Sequence, residues 1–131
     1  MKFIACLFFS LLVSACTTFI PKNTNTISFN AMQEQYILQE IVNILNNNFT
    51  KKNIGFIAND ALSKQLEIKL KSNGFNVENP NSSTTNLSYY ISNLEDKKIF
   101  LKINFGESRA GKIYLIRNNI LVPISSTNIG S

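Results

Sequence analysis

The sequence predicts an α+β fold in which two helices pack on one face of a mostly antiparallel sheet of about five to six strands. Two observations support this prediction. Hydrophobic residues recur at helical spacing in two segments of the first half of the chain, and they alternate with polar residues in a run of later segments. The 131 residues are enough for one small domain once a targeting segment is set aside.

The first helix is expected from Ala31 to Asn47. Asn30 followed by Gln33 resembles a capping pair. Hydrophobic residues then recur at helical spacing, at Tyr36, Ile37, Ile41, Ile44, Leu45 and Phe49.

A second helix is predicted after Asn59 or Asp60, either of which can cap it. Its apolar stripe consists of Leu62, Leu66 and Leu70. Gly74 stands where a residue in the left-handed conformation would end the helix. Between the helices, the wholly apolar segment 54–58 is typical of a strand that is covered on both faces and central in its sheet.

The later part of the chain predicts strands. They are expected at Phe75–Glu78, Leu87–Ile91, Ile99–Phe105, Lys112–Arg117 and Ile120–Pro123. In the third of these, the odd-numbered residues are expected to face the helices. Asn118 and Asn119 tolerate the positive φ of a tight hairpin turn. Pro123 cannot donate a backbone hydrogen bond, so its strand is expected at an edge of the sheet.

The amino-terminal residues predict a bacterial lipoprotein signal. Lys2 precedes an apolar run of about eleven residues, which is too short to span a bilayer core that needs about twenty. The run ends in Val13-Ser14-Ala15-Cys16, which matches the lipobox of lipoprotein-processing enzymes. Small side chains at Ser14 and Ala15 fit a narrow protease site, and the Cys16 thiol can carry a diacylglycerol thioether. We therefore expect cleavage after Ala15 and lipidation of Cys16.

This signal predicts how the mature protein is organised. Residues 1–15 form the signal peptide, residues 16–28 a lipidated flexible tether rich in Thr, Asn and Ser, and residues 29–131 a small periplasmic domain. Several acyl chains on one residue hold a protein stably to a membrane. Thr17 follows the cysteine where Asp is the usual mark of inner-membrane retention, so the expected location is the outer membrane, facing the periplasm.

Composition argues against several functions. The chain has no His, and its two cysteines are Cys6 in the signal and Cys16. Without these ligands and nucleophiles we expect no metal site, no cofactor, no catalytic residues and no intramolecular disulfide in the mature protein. Asp60, Glu67, Asp96 and Glu107 show no spacing typical of a catalytic carboxylate pair. The net charge of +5 has no dense Lys/Arg stripe, so we expect no direct nucleic-acid binding.

Three residues are candidates for contact with a partner. Arg109 belongs to a polar segment from Glu107 to Lys112 that could be a solvated turn, a partner contact or a catalytic cluster, and Arg suits interfaces because it forms paired planar hydrogen bonds. Tyr89 and Tyr90 are the other two. Two alternatives remain for these tyrosines. With Phe100 and Tyr114 they form an aromatic platform that binds a ligand, or all four pack within the sheet and core.

The order of these segments resembles the TrbH family of conjugal transfer lipoproteins. The matching pieces are Gly74-Phe75-Asn76-Val77, Leu87-Ser88-Tyr89-Tyr90-Ile91, Ile99-Phe100-Leu101-Lys102-Ile103 running to Gly106, Ser108-Arg109-Ala110 leading to Tyr114, and Leu121-Val122-Pro123. With the lipobox they cover roughly the last half of the chain and its start. The chain departs from the family's usual form by lacking a Trp and a basic ending after the proline.

The resemblance implies an outer-membrane lipoprotein of a transfer or type IV secretion apparatus. Such a protein would contact other subunits and catalyse no reaction. The alternative is a free-standing periplasmic lipoprotein that binds a small ligand or glycan. A deep pocket lined by Tyr89 or Tyr90 would favour this alternative, whereas a flat sheet with a ragged edge would favour the structural role.

Overall fold

A computed structural model describes residues 22–50 and 53–130. The predicted signal peptide, Ala15 and Cys16 lie outside the described residues. The helices are α1 (Ala31–Asn48) and α2 (Ala61–Ser72). The strands are β1 (Thr24–Asn25), β2 (Asn53–Gly55), β3 (Asn76–Glu78), β4 (Thr85–Glu95), β5 (Lys98–Phe105), β6 (Ser108–Arg117), β7 (Ile120–Pro123) and β8 (Asn128–Gly130). In the described part of the chain, neither helix is long and apolar enough to cross a membrane.

Both helices begin at the predicted caps. The Asn30 side chain accepts a hydrogen bond from the backbone of Gln33, whose own side chain accepts one from the backbone of Asn30. Asp60 and Ser63 form the same reciprocal pair at the start of α2. These bonds satisfy backbone donors that have no partner within the helix. Gly74 has a φ of 88° after the end of α2, as its predicted left-handed conformation requires.

The sheet is mostly antiparallel, as predicted. Its main path runs β3-β2-β4-β5-β6-β7, and the segment from β4 to β7 is an antiparallel meander. β2 pairs in parallel with β3 and β4. Parallel neighbours need a long crossover, and α2 supplies it between β2 and β3. The strand that was expected to be central corresponds to β2. It has a neighbour on each side but lies second from the edge of the main path.

Two short strands bring the total to eight, against the five to six expected. β1 pairs in parallel with the middle of β4, and β8 pairs antiparallel with the first half of β6. Two or three residues are too few to show a period of two, so neither strand could be recognised from its pattern.

The core lies between the helices and one face of the sheet. Along β5 the odd-numbered residues from Ile99 to Phe105 are 0–4% exposed, while their even-numbered neighbours are only half-buried. The expectation that the odd positions face the helices is confirmed. The helical side of the core consists of Ile37, Leu38, Ile41, Val42, Ile44 and Leu45 of α1 and Leu62, Leu66 and Leu70 of α2.

The turn and edge predictions near the end of the chain are also confirmed. Asn118 and Asn119 have φ values of 53° and 64° and join β6 to β7. Two positive φ values match the right-handed twist of the flanking strands. Pro123 ends β7, the last strand of the main path, where its missing donor costs no ladder hydrogen bond.

The structure differs from the expected flexible tether at the residues just before α1. Asn23 is 4% exposed, and Thr24 and Asn25 form β1 against Tyr90 and Ile91. The Asn23 amide donates to the Ile57 carbonyl at 2.7 Å, and its oxygen accepts from the Tyr89 backbone N–H at 3.1 Å. Residues 23–25 are therefore part of the folded domain, which begins before residue 29. The two bonds of Asn23 give partners to the Ile57 carbonyl and the Tyr89 N–H, which would otherwise be buried without them.

Candidate functional site

One face of the sheet carries no helix in the described part of the chain. Side chains of α1, of Phe49 directly after it and of the α2 cap contact one face of β4, β5 and β6. The strand residues that they contact are Tyr89, Phe105, Lys112 and Tyr114. By strand alternation these four side chains share one face. The opposite face, which we call the open face, presents the intervening residues.

Four apolar residues lie next to one another on the open face. Phe100 lies opposite Ile113 across β5 and β6, and Leu115 lies opposite Val122 across β6 and β7. All four side chains are half-buried. We call these four residues the apolar patch. Antiparallel sheets with one solvated face normally place polar residues at such positions, so the patch departs from the usual pattern.

Nearer the groove end of the strands, the open face carries polar and positively charged side chains. Lys102, Asn104 and Arg109 lie here, with Asn104 between Ser88 and Arg109 in neighbouring strands. Among the described residues, neither Lys102 nor Arg109 has an ion-pair or side-chain hydrogen-bond partner. These side chains line a groove of about 1220 Å³ at the end of the sheet, which we call the basic groove.

The three predicted contact residues have different environments. Arg109 is exposed in the basic groove. Tyr90 is 42% exposed on the open face, opposite Lys102. Tyr89 is 1% exposed, and its hydroxyl donates to the Asp60 carboxylate at 3.1 Å. Its side chain is therefore part of the core and inaccessible to a partner.

The four aromatic residues considered for a platform divide between the two faces. Tyr90 and Phe100 point to the open face, whereas Tyr89 and Tyr114 point to the core. The strict alternation of side chains along a strand explains the split. The basic groove contains neither Tyr89 nor Tyr90 among its described lining residues, so it is not the tyrosine-lined pocket that would favour a glycan-binding protein.

The polar segment from Glu107 to Lys112 is divided in the same way. Its turn is confined to Gly106 and Glu107, and β6 begins at Ser108. Arg109 points to the open face, whereas the Lys112 ammonium contacts the Glu40 carboxylate at 3.0 Å on the helical face. A catalytic cluster that combines Arg109 with Lys112 is therefore not assembled.

Glu40 joins α1 to β6 through two hydrogen bonds. Besides Lys112, the Tyr114 hydroxyl donates to it at 2.8 Å, and the Tyr114 ring meets Tyr36 edge-on. Burial, and then the Glu40 carboxylate, raise the pKa of Tyr114 well above its usual value. Burial, and then Asp60, raise the pKa of Tyr89 in the same way. Both tyrosines act as neutral hydrogen-bond donors that fix the helices to the sheet.

Sequence reasoning missed two cations of the basic groove. Lys102 could have been identified from the alternation of β5, which places its side chain on the face away from the helices. Lys22 fell within the expected tether, and only the three-dimensional course of the chain brings it to the groove.

The fold defines a small α+β domain with one sheet face that no helix of the described residues covers. The family model for the conjugal transfer protein TrbH matches residues 16–130, and the chain belongs to this family. Its members are components of conjugal transfer. The search of curated proteins and the search of solved structures gave no match.

Proposed function

We propose that this protein is a non-catalytic outer-membrane lipoprotein that serves as a structural component of a conjugal transfer apparatus of the type IV secretion kind. The lipobox ending at Cys16 supports the lipid anchor, and membership of the TrbH family supports the role in transfer. The domain would face the periplasm and act through contacts with other proteins of the apparatus.

The apolar patch is the observation that carries the proposed docking role. Phe100, Ile113, Leu115 and Val122 are neighbours in the sheet, and no helix in the described residues covers them. Contiguous apolar surface rimmed by polar residues marks protein interaction sites. The occupant that fits this patch is an apolar surface of another subunit of the transfer apparatus.

The sheet edges are weaker candidates for docking. The outermost strands β3, β7 and β8 have only three, four and three residues, and β7 ends in Pro123. Short edge strands and proline are devices that limit pairing with another chain. The face of the sheet is therefore the better-supported contact surface.

Photo-crosslinking tests this role with little disturbance of the fold. Benzoylphenylalanine replaces Phe100 in the apolar patch or, as the control, Ile68, which is 69% exposed on α2. In cells that carry the transfer apparatus, we expect crosslinks to transfer subunits from position 100 and few from position 68. Crosslinks to those subunits from position 68 alone, or from neither position, would contradict docking through the patch.

A further inference from the structure

Three cations are among the described lining residues of the basic groove. Lys22, the first described residue, lines the basic groove together with Lys102 and Arg109. Glu107 is the one acidic side chain among the groove's described lining residues. The groove therefore has an excess of positive charge, and anions are its preferred ligands.

The remaining groove walls suit a phosphate ester whose attached group carries hydroxyls. Ser88, Asn104 and Ser108 contribute hydroxyl and amide groups beside the cations. The Asn104 amide lies 3.4 Å from the Ser88 hydroxyl, which is a long hydrogen bond, so this amide can be shared with a ligand. Arg109 can form two parallel hydrogen bonds to a phosphate. At about 1220 Å³ the groove can also accept the groups attached to that phosphate.

The position of Lys22 relates the groove to the membrane. Asn23 is fixed to β4 by its bond to Tyr89, and Lys22 directly precedes it. Cys16 lies six residues earlier, and six fully extended residues span at most about 22 Å. Given the proposed lipidation of Cys16, Lys22 in the wall of the basic groove is held within that distance of the bilayer that contains the acyl chains.

We propose that the basic groove binds the headgroup phosphate of an anionic phospholipid in the membrane that holds the anchor. Tethering converts a weak encounter into an intramolecular one with an effective concentration in the millimolar range, so a weak site is sufficient. Binding turns the groove end of the sheet toward the bilayer. The apolar patch lies farther along the strands, at Phe100 and Leu115, and stays accessible to a protein partner.

The test titrates the mature chain from residue 16 carrying Cys16→Ser, so its outcome does not depend on acylation. Amide shifts of the ¹⁵N-labelled protein are followed with dihexanoyl-phosphatidylglycerol below its micelle concentration, with dihexanoyl-phosphatidylcholine and with inorganic phosphate. We expect saturable shifts at Lys102, Ser108 and Arg109 with phosphatidylglycerol and much weaker ones with phosphatidylcholine. Inorganic phosphate is expected to compete at the same amides.

Charge-matched variants identify the side chains responsible. A hydrogen bond to a charged group strengthens binding roughly tenfold, so Lys102→Gln combined with Arg109→Gln is expected to weaken phosphatidylglycerol binding by about tenfold or more. Lys64→Gln combined with Lys69→Gln on α2 removes the same charge outside the groove and is expected to leave binding unchanged.

Several results would overturn the proposal. They are equal binding of the two lipids, binding of inorganic phosphate without binding of the anionic lipid, and shifts that the groove variant leaves unaltered. A separate mass measurement of Cys16 from native membranes tests the anchor. An unmodified Cys16 would refute the proposed anchorage while leaving the headgroup result intact.

Discussion

Replacing Asn23 by alanine tests whether the chain is fixed to the sheet before the first helix. The substitution removes two hydrogen bonds to backbone groups, one from the Tyr89 N–H at 3.1 Å and one to the Ile57 carbonyl at 2.7 Å. A buried backbone group left without a partner costs about 1–3 kcal/mol. We therefore expect Asn23→Ala to lower the free energy of unfolding by about 2–4 kcal/mol.

Asn25→Ala is the matched control. The Asn25 side chain accepts one hydrogen bond, from the Ile27 N–H, and is only half-buried, so a loss of about 0.5–1.5 kcal/mol is expected. Urea unfolding of the mature chain followed by circular dichroism gives both values. Hydrogen exchange at the Tyr89 amide gives a local readout, and it should accelerate in Asn23→Ala alone. Unchanged stability together with unchanged Tyr89 protection would refute the docking of residues 23–25.

Two further predictions concern close packing and pH. Gly55→Ala would place a Cβ 2.4 Å from the Asn86 side-chain oxygen, so we expect it to destabilise the fold by about 1–3 kcal/mol in urea unfolding. Gly130→Ala meets nothing within 4 Å and is expected to change stability by less than about 0.5 kcal/mol. The pKa values of Tyr89 and Tyr114 are raised, so their contribution is complete below the unfolded-state pKa of about 10 and is lost as pH rises above it. Stability should therefore begin to fall at about pH 10 and continue to fall as the pH rises further, and this fall should be less steep when both tyrosines are replaced by phenylalanine.

The helices and the meander were predictable because their signals are local. The Asn30 and Asp60 caps, Gly74 and the alternation from Ile99 to Phe105 each depend on residues within a few positions of one another. Such signals reflect backbone donors, backbone conformations and side-chain directions that the local sequence decides.

The missed features depend on contacts between distant residues. Asn23 bonds to residues 34 and 66 positions later, so no local pattern distinguishes it from a residue of a flexible tether. The same holds for Glu40, whose partners Lys112 and Tyr114 lie more than seventy positions away. The division of the candidate contact residues, with Tyr89 buried and Tyr90 exposed, follows from alternation once the inward face of β4 is known.

The measurement that tests the central proposal most directly is a pull-down from membranes of the native cells, with mass spectrometry of the proteins that co-purify. Wild-type protein is compared with a Cys16→Ser variant, which cannot be acylated at this position. We expect pore or channel subunits of the transfer apparatus to co-purify with wild-type protein and to be lost or reduced with the variant. Recovery of the wild-type protein alone would contradict a stable structural role in the apparatus and would favour a free-standing lipoprotein that binds a small ligand.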